Sequence, residues 1–208
     1  MPKKYIYFVD VTNRDGVQTS RLGLAKLQKT IINLMLDNVG ITQSEFGFPT
    51  TRHEINYLNG NLELVDRGVI TKTRLSGWMR GIEPDVLLSF QNVPRLKYIN
   101  LSVSTSDQMI KGKYGGKKTR NDIIKSTTKA LDTARSCGAE SIGVNAEDAS
   151  RSDIDYLIDF AIEAKKHGAE KFRYCDTLGY DDPISAYERI SKIHKQQKWI
   201  LNFISIMI

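Results

Sequence analysis

The stretch Asp10-Val11-Thr12-Asn13-Arg14-Asp15-Gly16-Val17-Gln18 follows a short β-rich run, Tyr5 to Val11. It sets Arg14, Asp15 and Gln18 just past the C-terminal end of an apolar strand. An adjacent arginine and aspartate at such a place are costly unless they are paired or bound to something. Taken alone, they fit a solvated loop at a strand end equally well. In a barrel of parallel strands, that end of each strand forms the catalytic face. The pattern recurs further along. Glu45 stands inside a second apolar run, Ile41 to Phe48, where it either faces outward beside a helix or needs a partner, for which Arg14 on the adjacent strand is the natural one. Polar groups also gather after later strands, in Asn145-Ala146-Glu147-Asp148 and Asp176-Thr177-Leu178-Gly179. One such cluster would carry little weight; four on one face read as an active site.

Around these clusters the chain alternates strand and helix. Leu22 to Val39 reads as a helix, with apolar residues at Leu24, Leu27, Ile31, Leu34 and Met35 at helical spacing and Gly40 as its stop. His53 to Arg67 is a second helix, Val69 to Leu75 a third strand, and Trp78 to Leu88 a short helix. Tyr98 to Ser104 is strand four, followed by a helix from Arg120 to Ser136. Ser141 to Asn145 is strand five, and Asp153 to His167 is a helix with Ser152 as its N-cap. Lys171 to Cys175 is strand six, and Pro183 to Lys195 the last helix. Repeated strand-helix units with short links imply a parallel sheet covered by helices. On periodicity alone, an open doubly wound sheet and a barrel fit equally.

The 208 residues, 40% of them hydrophobic, suit one domain with a core, although a complete TIM barrel needs about 250. The formal charge is +6, with acids interleaved among the bases. The densest basic stretch, Lys111 to Arg120 around Gly115-Gly116, reads as a solvated surface or as an anion site for a phosphate- or carboxylate-bearing substrate. No basic stripe interleaved with aromatics argues for nucleic acid. The two cysteines, Cys137 and Cys175, lack metal-type spacing and fit a reducing, cytoplasmic setting. Met1-Pro2-Lys3-Lys4 runs directly into a strand, without a signal peptide, and the apolar run Trp199 to Ile208 is too short to span a membrane.

The run from Asp10 to Gln18, with Glu45 in a Glu-x-Gly-Phe-Pro setting, resembles the DRE-TIM metallolyase superfamily. That superfamily includes homocitrate, 2-isopropylmalate and citramalate synthases and hydroxymethylglutaryl-CoA lyase. Asn145 to Asp153 and Asp176 to Gly179 resemble the synthase branch, and Gly47 to Thr51 with Phe172 to Gly179 look closest to nitrogen-fixation-type homocitrate synthases. The resemblance runs from residue 5 to about 195. It implies an α/β fold, an incomplete TIM (β/α)8 barrel with about six βα units. It also implies an acyltransferase that condenses acetyl-CoA with 2-oxoglutarate by a metal-assisted Claisen reaction. The alternatives are 2-isopropylmalate, citramalate or Re-type citrate synthesis, or a non-catalytic binding remnant. By resemblance, Arg14 stabilises the enolate, Glu45 orients Arg14, and Asp15 ligates a divalent metal (Mg, Mn or Zn). Gln18, Arg80, Asn145, Glu147 and Thr177 contact the 2-oxo acid. Relatives of this kind are expected to be homodimers.

The family completes its metal site with His-x-His-Asn-Asp on strand seven, whereas His53, His167 and His194 are the only histidines here and none has that spacing. The resemblance stops after Lys198. Codons for Trp199 to Ile208 can be chosen that, read one base earlier, encode Met-Asp-Phe-Glu-Phe-His-Ile-His-Asn-Asp. The expectation is therefore a barrel segment over residues 1–198 and a frameshifted tail over 199–208, with weak metal binding and impaired activity; the alternative for the tail is a natural hydrophobic terminal strand.

Overall fold

A computed structural model describes the backbone of residues 7–197 and 200–205, and side chains up to residue 196. The elements alternate: β1 (Val9–Asp10), α1 (Lys26–Val39), β2 (Gln43–Gly47), α2 (Arg52–Asp66), β3 (Arg74–Arg80), α3 (Glu83–Asn92) and β4 (Tyr98–Ser104). Two helices follow β4, α4 (Asp107–Tyr114) and α5 (Arg120–Ser136). Then come β5 (Ser141–Glu147), α6 (Ile154–Lys166), β6 (Lys171–Asp176), α7 (Pro183–Gln197) and β7 (Ile200–Ser205). The strands are ordered β1-β2-β3-β4-β5-β6-β7 in one sheet. The registers of β1 with β2, β2 with β3, β5 with β6 and β6 with β7 are all parallel. Sequential parallel order with a helical crossover after each of six strands is the build of a TIM barrel, here incomplete.

The tail set apart in the sequence contributes a strand. Ile200 to Ser205 extends β6 from Lys171↔Ile200 to Asp176↔Ser205, so a seventh strand follows the six expected units. An apolar β-prone run satisfies backbone groups that the edge of β6 would otherwise leave unpaired. Tyr5, Ile6, Trp199 and residues 206–208, the remainder of the first and last runs read from the sequence, lie outside the described residues.

The chain divides into two compact units, Met1–Met79 with Ser89–Ile99, and Arg80–Leu88 with Asn100–Ile208. In the first, Phe46, Leu58, Ile70, Leu75, Met79 and Leu96 are buried. Helix α1 turns its polar side inward: Lys29, Asn33 and Asp37 are its buried residues, while Leu27, Ile31 and Met35 are exposed. The apolar spacing located the helix and not its buried face. The buried side is a hydrogen-bonded network. Asn13 Nδ2 donates to Lys29 O and Asn33 Oδ1, both at 2.8 Å. Asn33 Nδ2 donates to Tyr57 Oη at 2.8 Å and to Asn61 Oδ1 at 2.9 Å. Lys29 Nζ reaches Glu54 Oε1 at 2.8 Å and lies 4.2 Å from the Tyr57 ring centroid.

Several boundaries differ from the sequence reading: α1 starts at Lys26 rather than Leu22, and α3 runs Glu83–Asn92 rather than Trp78 to Leu88. Strand three is Arg74–Arg80, not Val69 to Leu75, so Trp78 and Arg80 lie on a strand. The Val69-Ile70-Thr71 run looks β-prone, but the backbone after it is held in a loop. Asp37 Oδ1 accepts N–H bonds from Thr71, Lys72 and Thr73 at 3.1, 2.6 and 2.8 Å. Burial pushes the Asp37 carboxyl up, but these three N–H groups and the Lys72 charge outweigh it and hold the carboxyl below its usual range. The basic stretch is half helical: α4 runs through Lys111 and Lys113 and ends at Gly115, whose φ of 57° closes the helix in the left-handed region. The N-cap of α6 is Asp153, which accepts the Tyr156 N–H at 2.8 Å, while Ser152 is buried with its hydroxyl turned to the Asp148 carbonyl.

The second unit is built around Leu101, Ile123, Leu131, Val144, Leu157, Phe160 and Phe172, all buried. Its helix α6 buries Tyr156, Leu157, Phe160, Ala161 and Ala164, a conventional apolar face.

Candidate functional site

The first cluster lies at the C-terminal ends of β1 and β2. After Asp10 the chain turns through backbone bonds from Asp15 and Gly16 to Val11 O, at 2.8 and 3.2 Å, into a short 3-10 turn at Gly16–Gln18. Asn13, wholly buried, pins this loop to α1. The turn presents Arg14 to Glu45, the pairing the sequence called for. Nε and Nη2 of Arg14 donate to Glu45 Oε2 at 2.9 and 2.7 Å, and Nη1 donates to Asp15 Oδ1 at 2.7 Å. Trp78 lies under the guanidinium, 5.2 Å away, braced edge-on by Phe48. The Glu45 side chain is 0% exposed and that of Arg14 13%, so the pair is a desolvated, charge-assisted one. A guanidinium has five N–H groups. Three are committed, which leaves two for a ligand. Arg14 and Gln18 also line a small cavity of about 140 Å³ with Gly47, Phe48 and Glu54.

Gly47 makes this packing possible. A Cβ there would meet Glu54 Oε2 at 2.7 Å and Leu58 Cδ2 at 2.9 Å, and the β2–β3 register shifts between Glu45 and Gly47.

The second cluster belongs to the other compact unit, after β4, β5 and β6. Glu147 ends β5, and its Oε2 lies 2.7 Å from Lys113 Nζ and 2.6 Å from Ser104 Oγ. Asp148 follows in the left-handed region, at φ 61°. Its N–H donates to Thr177 Oγ1 at 2.9 Å, and its buried carboxylate takes Ser106 and Arg151. Asn145 is buried, and its Oδ1 has no hydrogen-bond partner among the described residues. Arg80 is exposed and forms a two-point pair with Asp85, at 2.6 and 2.8 Å. The structure thus joins Arg14, Asp15, Glu45 and Gln18 in one cluster, and Glu147 and Thr177 in another through Asp148.

Sequence reasoning assigned no role to Asn13, Trp78 or the buried Arg173. Arg173 carried the signal used for Glu45, a charge inside an apolar strand, Phe172-Arg173-Tyr174. Lys113, from the basic stretch read as a solvated surface or an anion site, lies on helix α4, and Trp78 lies on strand β3 rather than on a helix.

No group of three or more His, Cys, Asp or Glu among the described residues is placed to hold a metal ion. Asp15 offers one carboxylate, and Arg14 already holds one of its oxygens. His167 is paired with Asp132 at 2.8 Å, and His53 and His194 are exposed. No helix among the described residues is long and apolar enough to cross a membrane.

Comparison with known proteins identifies relatives of the chain. The chain is 59% identical over 183 residues to the citrate (Re)-synthase of Dehalococcoides mccartyi strain CBDB1, a match covering 88% of this chain and 44% of that protein. It is 26% identical over 205 residues to the homocitrate synthase of Frankia sp. strain FaC1, covering 92% and 46%. The chain thus spans about half the length of these relatives. Among solved structures, the HMG-CoA lyase of Bacillus subtilis shares the fold at a TM-score of 0.78 and 14% identity, covering 98% of this chain and 69% of that one. The HMGL-like family model matches residues 5–205, and the chain belongs to the HMGL-like family.

Proposed function

We propose that the chain carries part of the catalytic barrel of a synthase that condenses acetyl-CoA with a 2-oxo dicarboxylate. The supporting observation is Arg14, a cation locked by Glu45, Asp15 and Trp78 at a strand C-terminus, with two N–H groups to spare. In the reaction the acetyl methyl loses a proton, and the resulting enolate carbon attacks the keto carbon. A carbon–carbon bond forms, the carbonyl electrons move to oxygen, and that oxygen takes a proton to become a tertiary alcohol. Water then cleaves the thioester to a carboxylate and the free thiol of CoA. Arg14 stabilises the enolate oxygen, a term worth roughly 10²–10³ in rate for one well-placed donor. Its position costs no reorganisation, because Glu45 fixes it beforehand. In this reading Gln18, which lines the small cavity beside Arg14, contacts the 2-oxo acid.

Removing an acetyl unit from citrate leaves oxaloacetate, and from homocitrate leaves 2-oxoglutarate, one methylene longer. The 59% identity to a citrate (Re)-synthase, against 26% to a homocitrate synthase, favours oxaloacetate over the 2-oxoglutarate expected from the sequence. The test is thiol release from acetyl-CoA by the purified chain against a panel of 2-oxo acids. Release is expected to be small, to depend on the 2-oxo dicarboxylate, and to vanish in Arg14→Ala. Release that ignores the 2-oxo acid, or that survives Arg14→Ala, overturns the reading.

A second reading is a binding module without turnover, favoured by the Asp15 carboxylate being tied to Arg14. It predicts calorimetric binding of oxaloacetate or 2-oxoglutarate with no thiol release at any Mg²⁺ or Mn²⁺ concentration.

A further inference from the structure

The second compact unit contains a cavity of about 350 Å³ apart from the Arg14 cluster. Arg80, at the end of β3, and Lys113 and Lys118, from the basic stretch, all line it. So do the hydroxyl-bearing Ser102, Ser104, Ser126 and Thr127, and no carboxylate does. The carboxylates that steady two of the cations stand outside the lining: Asp85 holds Arg80, and Glu147 holds Lys113. Lys118 lies 4.4 Å from the Tyr114 ring centroid, half-buried, with no ion-pair partner among the described residues. The Ser102 and Ser126 hydroxyls likewise carry no hydrogen bond among the described residues.

We propose that this cavity is a binding site for a phosphate group carried on a larger molecule. Three cations and two uncommitted hydroxyls offer more donors than a planar carboxylate can use. A tetrahedral phosphate, with its extra oxygens and second charge, matches them better. The volume exceeds one phosphate and falls in the range of small-ligand pockets, so the phosphate comes with an attached body. Arg80 presents a planar fork whose direction Asp85 fixes. Lys118, tethered only to an aromatic face, is free to move onto the ligand. The site stands without the proposed synthase activity. One candidate source, the phosphorylated end of CoA, rests on that activity.

The experiment is calorimetry on the full 208-residue chain at low salt, with inorganic phosphate, adenosine 3′,5′-bisphosphate, CoA and dephospho-CoA as probes. At least one probe is expected to bind, and the variant Arg80→Gln/Lys118→Gln to bind it at least tenfold more weakly. Ser126→Phe, which fills the cavity without changing charge, is expected to lose binding as well. Lys111→Gln, on the same basic stretch but outside the lining, is expected to bind as the parent does. Thermal melts of each variant confirm that it folds. CoA binding more tightly than dephospho-CoA, with the difference lost in the double variant, identifies the 3′-phosphate as the ligand. Inorganic phosphate binding as tightly as CoA and the bisphosphate identifies a free-phosphate site and overturns the attached body. Absence of binding by every probe overturns the proposal, as does equal loss in Lys111→Gln, which would mean diffuse surface charge. Arg14→Ala separates the two claims: it is expected to abolish thiol release and leave phosphate binding unchanged.

Discussion

Helices α1 and α6 both show apolar residues at helical spacing, yet they bury opposite kinds of side chain. Helix α6 buries Tyr156, Leu157 and Phe160, whereas α1 buries Lys29, Asn33 and Asp37. Solvent exclusion therefore holds α6, while hydrogen bonds and one ion pair hold α1. The two kinds of contact respond differently to mutation and to pH. Apolar burial scales with the volume removed and ignores protonation. A polar anchor loses stability mainly by leaving its partners unsatisfied, and it depends on charge.

The largest effect is expected on the apolar side. Phe160 is 1% exposed and lies against the rings of Tyr156 and Phe172, at 6.3 and 6.2 Å. Phe160→Ala is expected to cost about 3–5 kcal/mol in urea unfolding, independent of pH. A loss under 1 kcal/mol would erase the contrast. Asp37→Ala comes next, at about 1–3 kcal/mol, because three backbone N–H groups lose their acceptor. Its pH dependence carries the sign. The folded carboxyl lies below its ordinary value of 3.8, so its stabilisation is complete above that value and disappears as pH falls through the folded value. The gap between parent and Asp37→Ala is expected to be constant from neutral pH down to about 5 and to narrow in more acid solution. A gap that widens in acid refutes the assignment. The smallest effect is expected at Ile31, 41% exposed on the outer face of α1. Ile31→Gln is expected to change stability by less than about 0.5 kcal/mol, since surface substitutions seldom do more. A loss of several kcal/mol would show that the outer face is covered in solution.

The same contrast explains what the sequence made legible. Helix α5 is read to the residue, because Thr119 and Asp122 cap it reciprocally and Gly138, at φ 94°, lies just beyond its end. Strand β4 is also placed to the residue, as an apolar run between loops. Strand β3 was misplaced because the signal that excludes Val69 to Thr73 sits 34 residues earlier, in Asp37. No local pattern carries such a contact. At the site, the Arg14–Glu45 pair was legible because a charge inside a strand demands a counter-charge and the neighbouring strand offered one. The hold of Asn13 on α1 was not legible. Asparagine in a loop reads as solvated until the tertiary fold supplies Lys29 O and Asn33.

The cage around Arg14 also has a geometric consequence. Glu45, Asp15 and Trp78 fix the guanidinium against rotation, so its two remaining N–H groups point in one set direction in the guanidinium plane. A flat anion that binds them by its oxygen is oriented as well as stabilised, and it turns one of its two faces outward. The line along which that oxygen approaches is then set at Glu45, before any ligand arrives.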